Sequence, residues 1–221
     1  MKRILLLAVF VLLSLRASAQ YEPTSTWPYL YGDFTGGEIS TVTGEVQTGT
    51  FNVHLLEGAL HFIDGDKIRE ADRKEIYSVR IGNDYFVNAG GKMMKVLAKD
   101  DHGFVAKSYE IDIVALNSTG AAYGSSSTTV GTMALASVEG MGGAAGTNHM
   151  ELKSNRENGR TLPLLEKIWL VTDGGVVPAI RRDVAQKVGE DTLKSFLKAN
   201  KIKWNSPQSL LLLVDLISEH K

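Results

Sequence analysis

The most constraining feature of this sequence is a period-2 alternation of apolar and polar residues that turn residues interrupt at short intervals. Between residues 38 and 113, runs rich in Val, Ile, Phe and Tyr are separated by turn signals such as Thr43-Gly44, Asp64-Gly65 and Asn83-Asp84. Glycine and short polar side chains allow the backbone conformations that tight turns between antiparallel strands require. The pattern therefore predicts a meander of antiparallel strands.

One hairpin is especially clear in this pattern. Residues 51–56 and 59–64 alternate on either side of Glu57-Gly58, where glycine can adopt the positive φ of a two-residue turn. In that register His54 lies directly opposite His61. The other face of the same hairpin is apolar and is predicted to enter the core, with the side chains of Phe51, Val53, Leu55, Leu60 and Phe62.

Composition changes sharply in residues 115–147, which are rich in Gly, Ala, Ser and Thr and contain one charged residue, Glu139. Ordering such a segment costs much backbone entropy for little buried area. We therefore expect either a long surface loop or weakly held strands, and the segment is also a candidate for binding or assembly. If it binds a partner, Tyr123, its only aromatic residue, is the candidate anchor.

After residue 180 the apolar residues follow a helical period. Leu193, Phe196 and Leu197 are spaced as on one face of an amphipathic helix. Ser206-Pro207 predicts the start of a second helix, because serine is a preferred N-cap residue and proline is tolerated in the first turn. Leucines occur nearly all round this second helix, so we expect it to be buried.

Strands followed by helices, rather than alternating with them, predict an α+β fold. The antiparallel β-meander is compatible with a single sheet, a sandwich or an open barrel, and the C-terminal helical segment is expected to pack on it. Residues 20–179 would form the β-rich body and residues 180–221 the helices. Both parts are expected to belong to one domain, since a chain of about 200 residues can share one core.

The N-terminus has the three parts of a secretory signal. Lys2-Arg3 precedes an apolar run at residues 4–13, and Ala17-Ser18-Ala19 provides a cleavage site. The run is shorter than the roughly 20 apolar residues of a transmembrane helix, because Arg16 interrupts it. We therefore expect residues 1–19 to be removed, leaving a soluble periplasmic or secreted protein that begins at Gln20 and has no transmembrane segment.

Charge and cysteine content exclude several classes of function. Cleavage removes three of the 24 basic residues, so 21 remain against 25 acidic ones, a net charge of −4. An acidic protein of this kind does not suit nucleic-acid binding, which needs a basic surface to displace counterions from phosphates. The absence of cysteine excludes thiol catalysis and thiolate metal sites.

Four segments carry a resemblance to a known family. They are residues 55–64 (LLEGALHFID), 75–82 (EIYSVRIG), 122–129 (AYGSSSTT) and 168–179 (IWLVTDGGVVPA). In these segments, and in the same order over most of the mature chain, the sequence resembles a family of uncharacterised exported proteins from Bacteroidota. The shared motifs are turns and strands rather than reactive groups. The resemblance implies a location in a Gram-negative envelope and implies no activity.

The sharpest candidate for chemistry is the pair His54 and His61. Two imidazoles on one sheet face, with Cβ atoms about 5 Å apart, can chelate a divalent metal. A stable zinc site needs at least a third ligand, and no acidic residue of that hairpin face supplies one. The alternative is two histidines on a solvated or partly covered face, and neither His102 nor His149 is placed as a further ligand.

Two other motifs fail on inspection. Asp64-Gly65-Asp66 begins like a calcium loop, but Ile68 and Arg69 occupy the positions that need an oxygen ligand and glycine. Three serines at residues 125–127 lack the G-x-S-x-G turn of a nucleophilic serine. The sequence therefore predicts no catalytic residue and no cofactor.

Basic residues are concentrated at residues 181–203, which contain seven Lys or Arg against three acidic residues. Such a patch suits anionic lipid headgroups or an acidic partner, although helix surfaces are also basic for solubility alone. The sequence favours a non-catalytic binding protein of the envelope, whose partner is a protein or another envelope component. The alternative function is a metal-dependent or other hydrolase that uses the hairpin histidines.

Overall fold

The computed structural model of the chain describes residues 28–112 and 163–220. Within these ranges the chain forms ten strands and then three helices, which confirms the α+β prediction. The strands are β1 (Thr35–Thr41), β2 (Val46–His54), β3 (Ala59–Asp64), β4 (Lys67–Glu70), β5 (Ile76–Ile81), β6 (Asp84–Ala89), β7 (Lys92–Lys99), β8 (Phe104–Ile111), β9 (Leu164–Thr172) and β10 (Gly175–Pro178). The helices are α1 (Arg181–Val188), α2 (Glu190–Ala199) and α3 (Pro207–Glu219).

The ten strands form a single antiparallel sheet in the order β10-β9-β8-β7-β6-β5-β1-β2-β3-β4. Strand β1 lies between β5 and β2, so it joins one meander, β1 to β4, to a second one that runs from β5 to β10. The sheet is curled, which brings β7 close to the turn between β2 and β3 although these strands are far apart in the strand order. At this contact the Met93 amide donates a hydrogen bond to the Gly58 carbonyl, 2.7 Å away. Of the three forms compatible with the sequence, the described residues adopt a single curled sheet.

The interior of the curled part is filled by apolar side chains from both meanders. The buried residues of this cluster are Ile39, Phe51, Val53, Leu60, Ala71, Ile76, Val79, Ile81, Phe86 and Met93. Three of the five residues predicted for the core face of the β2–β3 hairpin belong to it, and Phe62 packs against it half-buried. The predicted core face is therefore confirmed for these four residues, whereas Leu55 lies in the turn and packs in a separate cluster with Ile111.

The predicted register of the β2–β3 hairpin is wrong by two residues. Asn52 pairs with His61 and His54 pairs with Ala59, so His54 does not lie opposite His61. The connection has four residues, 55–58, instead of two. Tertiary contacts explain the wider turn, because Leu55 is 2% exposed and its amide donates to the Pro28 carbonyl at 2.8 Å. A shift of two residues leaves the side chains that remain in the two strands on their predicted faces.

The helices cover one face of the sheet at strands β7 to β10. Val105 and Leu170 from the sheet share a buried cluster with Val184, Leu193 and Leu213 from the three helices. Helix α3 begins at Pro207 after an extended Ser206, as predicted, although the Ser206 side chain forms no capping hydrogen bond. Five of its apolar residues are buried, but Leu212 is 41% exposed, so the helix is buried on one side rather than nearly all round. The short helix α1 was not anticipated as a separate element, since only Val184 and Val188 form its buried face.

The regions outside the described residues contain several predicted features. These are the signal at residues 1–19, the segment at 115–147 and His149. Among the helices of the described ranges, none combines the length and apolar character that would be needed to span a bilayer.

Candidate functional site

The two histidines of the β2–β3 hairpin lie together although they are diagonal neighbours rather than cross-strand partners. Their imidazole rings stack, with centroids 4.7 Å apart and planes 14° from parallel. The diagonal of an antiparallel pair is within reach of aromatic side chains, so the register shift does not separate them.

Tyr29 closes one side of this pair. Its backbone forms a bridge with His54, and its ring meets each imidazole edge-on with centroids 5.5 Å apart. The Tyr29 hydroxyl lies 2.8 Å from Nδ1 of His61. Burial raises the pKa of Tyr29 to about 12, so the hydroxyl stays protonated at neutral pH. In a neutral His61 the direction of this hydrogen bond depends on the tautomer, since Nδ1 accepts the hydroxyl proton when the ring proton lies on Nε2 and donates when it lies on Nδ1.

Charged groups lie on the other side of His61. Glu70, on β4, places Oε2 3.9 Å from Nε2 of His61. The Arg73 guanidinium forms ion pairs with Glu70 at 2.9 Å and with Glu57 at 2.8 Å. The negative charge of Glu70 is therefore partly compensated by Arg73. Burial lowers the pKa of His61, and it outweighs the opposite effects of Glu70 and Glu57. The imidazole of His61 is therefore held in its neutral form near pH 7.

The described residues include no group of three or more His, Asp or Glu side chains that could hold a metal ion. Two imidazoles that share a zinc ion each place a nitrogen at about 2.0–2.1 Å from it. The in-plane lone pairs of two nearly parallel rings point in parallel directions, so they do not converge on a single metal ion. Nδ1 of His61 is also already hydrogen-bonded to Tyr29. Metal binding by His54 and His61 stays a prediction, and this geometry gives no support to a hydrolase that uses them.

The other residues considered from the sequence are not brought to this cluster. His102 lies in the exposed turn between β7 and β8, where its backbone amide donates to Asp100 Oδ1. Tyr123, the candidate partner anchor, and His149 lie outside the described residues.

Three of the basic residues near the C-terminus, Arg181, Arg182 and Lys194, line a groove between α1 and α2. The two helices are joined by Gly189 alone, whose φ of 91° is readily adopted by glycine and strained for other residues. The groove has a volume of about 690 Å³ and is lined by Arg181, Arg182, Ala185, Gln186, Glu190, Leu193 and Lys194. The lining is mostly apolar and includes half-buried Ala185, with Leu193 buried beneath it at 1% exposed.

The cations at the rim of this groove have few partners. In the described part of the chain, neither Arg181 nor Lys194 forms an ion pair, and Arg182 reaches only its neighbour Asp183 at 3.4 Å. Glu190 is the one acidic side chain among the described residues that line the groove. The groove therefore presents three exposed positive charges against one negative charge, above an apolar base.

Arg181 and Arg182 occupy a position that helix stability alone would not select. They form the first turn of α1, where the positive end of the helix dipole disfavours cations. Ile180, at the N-cap, provides no side-chain hydrogen bond to that turn. The other charged residues at the helix ends follow the dipole, both in α1 (Asp183 and Lys187) and in α2 (Glu190, Asp191 and Lys198). The two arginines thus add to the local positive potential at the groove.

The sequence indicated the basic patch but not the groove. The remaining basic residues of the patch, Lys187, Lys198, Lys201 and Lys203, are exposed as well. The groove depends on the sharp α1–α2 junction, for which the only sequence signal is Gly189 between two short helical patterns.

Comparisons with known protein families, with curated proteins and with solved structures found no match to this chain. The resemblance to exported proteins of Bacteroidota accordingly stays an expectation from the sequence.

Proposed function

We propose that this protein is an exported, non-catalytic binding protein of the cell envelope, which contacts its partner through the basic groove between α1 and α2. The observation that carries the proposal is the groove itself, in which Arg181, Arg182 and Lys194 surround the apolar surface of Ala185. Leu193 lies buried beneath this surface. Ligand sites of proteins combine a concave apolar surface with a few placed polar groups in this way.

Solubility alone accounts poorly for this arrangement. A solubilising helix surface needs charge of either sign, but it needs neither a concave apolar base nor cations in the first turn of a helix. Residues 181–203 contain seven basic and three acidic residues, whereas the mature chain predicted from the sequence has a net charge of −4. Positive charge is therefore concentrated in this part of the chain. Local charge of this kind increases the rate of encounter with an oppositely charged partner.

Export to the envelope is supported by the N-terminal sequence, with its basic start, its apolar run and the Ala17-Ser18-Ala19 site. A periplasmic or secreted location exposes the groove to other envelope components. No cofactor is required by this function.

Affinity capture from the native envelope tests the proposal. Tagged mature protein is compared with the double variant Arg181→Glu/Lys194→Glu, and captured components are identified by mass spectrometry. The matched control is Lys67→Glu/Lys99→Glu, which makes the same change of charge at exposed residues of β4 and β7. We expect a specific set of components to be lost from the groove variant and retained by the control. Equal capture by all three proteins would contradict the proposed role of the groove.

A further inference from the structure

We infer that the α1–α2 groove takes an acidic peptide segment of a partner protein, in which carboxylates flank an aliphatic side chain. This inference rests on the proposed function and specifies the chemistry of its partner. The groove volume of about 690 Å³ lies within the roughly 300–1,000 Å³ that ligand sites occupy. The occupant is therefore a short segment rather than a broad surface.

The rim of the groove matches carboxylates. Arg181 and Arg182 provide two adjacent guanidinium groups, which form bidentate hydrogen bonds with a carboxylate. Lys194, on α2, adds a third cation from the other helix. A peptide with acidic side chains along its length would meet cations from both walls of the groove.

The base of the groove matches an aliphatic side chain. Half-buried Ala185 and the aliphatic stems of Arg181 and Lys194 contribute apolar surface between the charged groups. Gln186 can both donate and accept a hydrogen bond, as the backbone of an extended peptide requires. An anion without an apolar part, such as inorganic phosphate, would leave this surface uncovered.

A membrane surface fits the groove less well than a peptide does. Glu190 lines the groove and repels lipid phosphates and peptide carboxylates alike, so it does not distinguish the two. Membrane-bound helices need an exposed apolar face to insert, whereas Leu193, Val184 and Val188 are buried against the sheet and α3. The observations thus favour a peptide over a lipid headgroup layer.

The inference is tested with full-length mature protein and a fluorescent synthetic peptide of alternating Glu and Leu. Fluorescence anisotropy is measured at low and at physiological ionic strength, with a Gln/Leu peptide and a Lys/Leu peptide as matched controls. We expect the Glu/Leu peptide alone to bind, and salt to weaken its binding. Arg181→Glu/Lys194→Glu should raise the Kd by about tenfold or more, since charge-assisted hydrogen bonds to both walls are lost. Arg181→Gln/Lys194→Gln should give a smaller increase.

Controls separate this inference from the proposed function. Lys67→Glu/Lys99→Glu should bind the Glu/Leu peptide like the wild type, and circular dichroism checks that each variant is folded. If the peptide does not bind while envelope capture still depends on Arg181 and Lys194, the acidic-peptide inference is wrong and the proposed function stands. Groove-dependent binding to phosphatidylglycerol vesicles in place of the peptide would also overturn it. Loss of both peptide binding and groove-dependent capture would overturn the two together.

Discussion

The imidazole rings of His54 and His61 stack at 4.7 Å although the strands pair each of them with another residue. The contact is held from one side by Tyr29, which hydrogen-bonds His61 and belongs to a segment far from the hairpin in sequence. Two stacked imidazoles at this distance cannot both be charged without strong repulsion. Burial lowers the pKa of His61, so His61 is the imidazole that stays neutral and the contribution of the cluster to folding depends on pH.

We expect the protein to lose stability as the pH falls through the range in which His61 titrates. Burial lowers the folded-state pKa of His61 below its ordinary value of 6.5, so the unfolded chain binds more protons between these two pKa values. Stability therefore rises with pH across that window, is fully present above it, and is lost as pH falls through the folded-state pKa. Thermal melting from about pH 8 to about pH 5 measures this dependence.

Substitution of His61 tests the origin of that pH dependence. His61→Gln retains a side chain that can bond the Tyr29 hydroxyl but cannot titrate, so its melting temperature should vary less with pH over the same range. His102→Gln, in an exposed turn, controls for the loss of one histidine from the chain. A His61→Gln protein with the full wild-type pH dependence would show that another group is responsible.

Helix α3 should be sensitive to charge on its buried face only. Leu213 is fully buried between the sheet and α1, and Leu213→Asp replaces it with a carboxylate that has no buried partner. We expect the free energy of unfolding to fall by several kcal/mol. About 2–5 kcal/mol of this comes from removal of the buried leucine side chain, and the rest from burial of an unpaired carboxylate. Leu212→Asp is the matched control on the same helix, because Leu212 is 41% exposed. Denaturant unfolding should distinguish the two, and equal effects would mean that the burial of α3 has been misjudged.

The elements that the sequence predicted well are those set by local periodicity. Alternation identified both faces of the β2–β3 hairpin, and the leucine-rich pattern with Ser206-Pro207 located α3. Side-chain direction is fixed by the period of the backbone, so it survives an error of two residues in register. Tertiary structure was not needed for either result.

The features that the sequence did not predict depend on non-local contacts. Strand β1 pairs with β5 as well as with β2, a contact that no alternation reveals. The four-residue turn at 55–58 is held by two hydrogen bonds to residues distant in sequence. The Leu55 amide donates to the Pro28 carbonyl, and the Met93 amide donates to the Gly58 carbonyl. The position of Tyr29 beside the histidines also depends on a non-local contact. The side chain of Asn52, buried in β2, hydrogen-bonds the backbone of Tyr31 and Asp33 and so holds the segment that contains Tyr29. Contacts of this kind can be recognised only once the fold is known.

Processing of the N-terminus is a separate prediction. Residues 1–19 should be removed during export, so the intact mass of the protein from the envelope should correspond to a chain that begins at Gln20. A substitution of Ala17 and Ala19 by larger residues should block cleavage, since the signal peptidase site requires small side chains. Mature protein that retains residues 1–19 would contradict the secretory signal.

The last prediction separates stability from binding at the start of α1. Because a cation is unfavourable in the first turn of a helix, Arg181→Glu should stabilise the protein by about 0.3–1 kcal/mol, which corresponds to a rise in melting temperature of about 1–4 °C. Lys198→Glu, in the last turn of α2, is expected to have the opposite effect, because a cation is favourable there. Arg181→Glu should nevertheless bind the Glu/Leu peptide more weakly than the wild type. A residue whose replacement improves stability while it weakens binding is retained for recognition. If Arg181→Glu instead lowers the melting temperature, Arg181 serves the helix itself, and its position no longer supports the groove as a binding site.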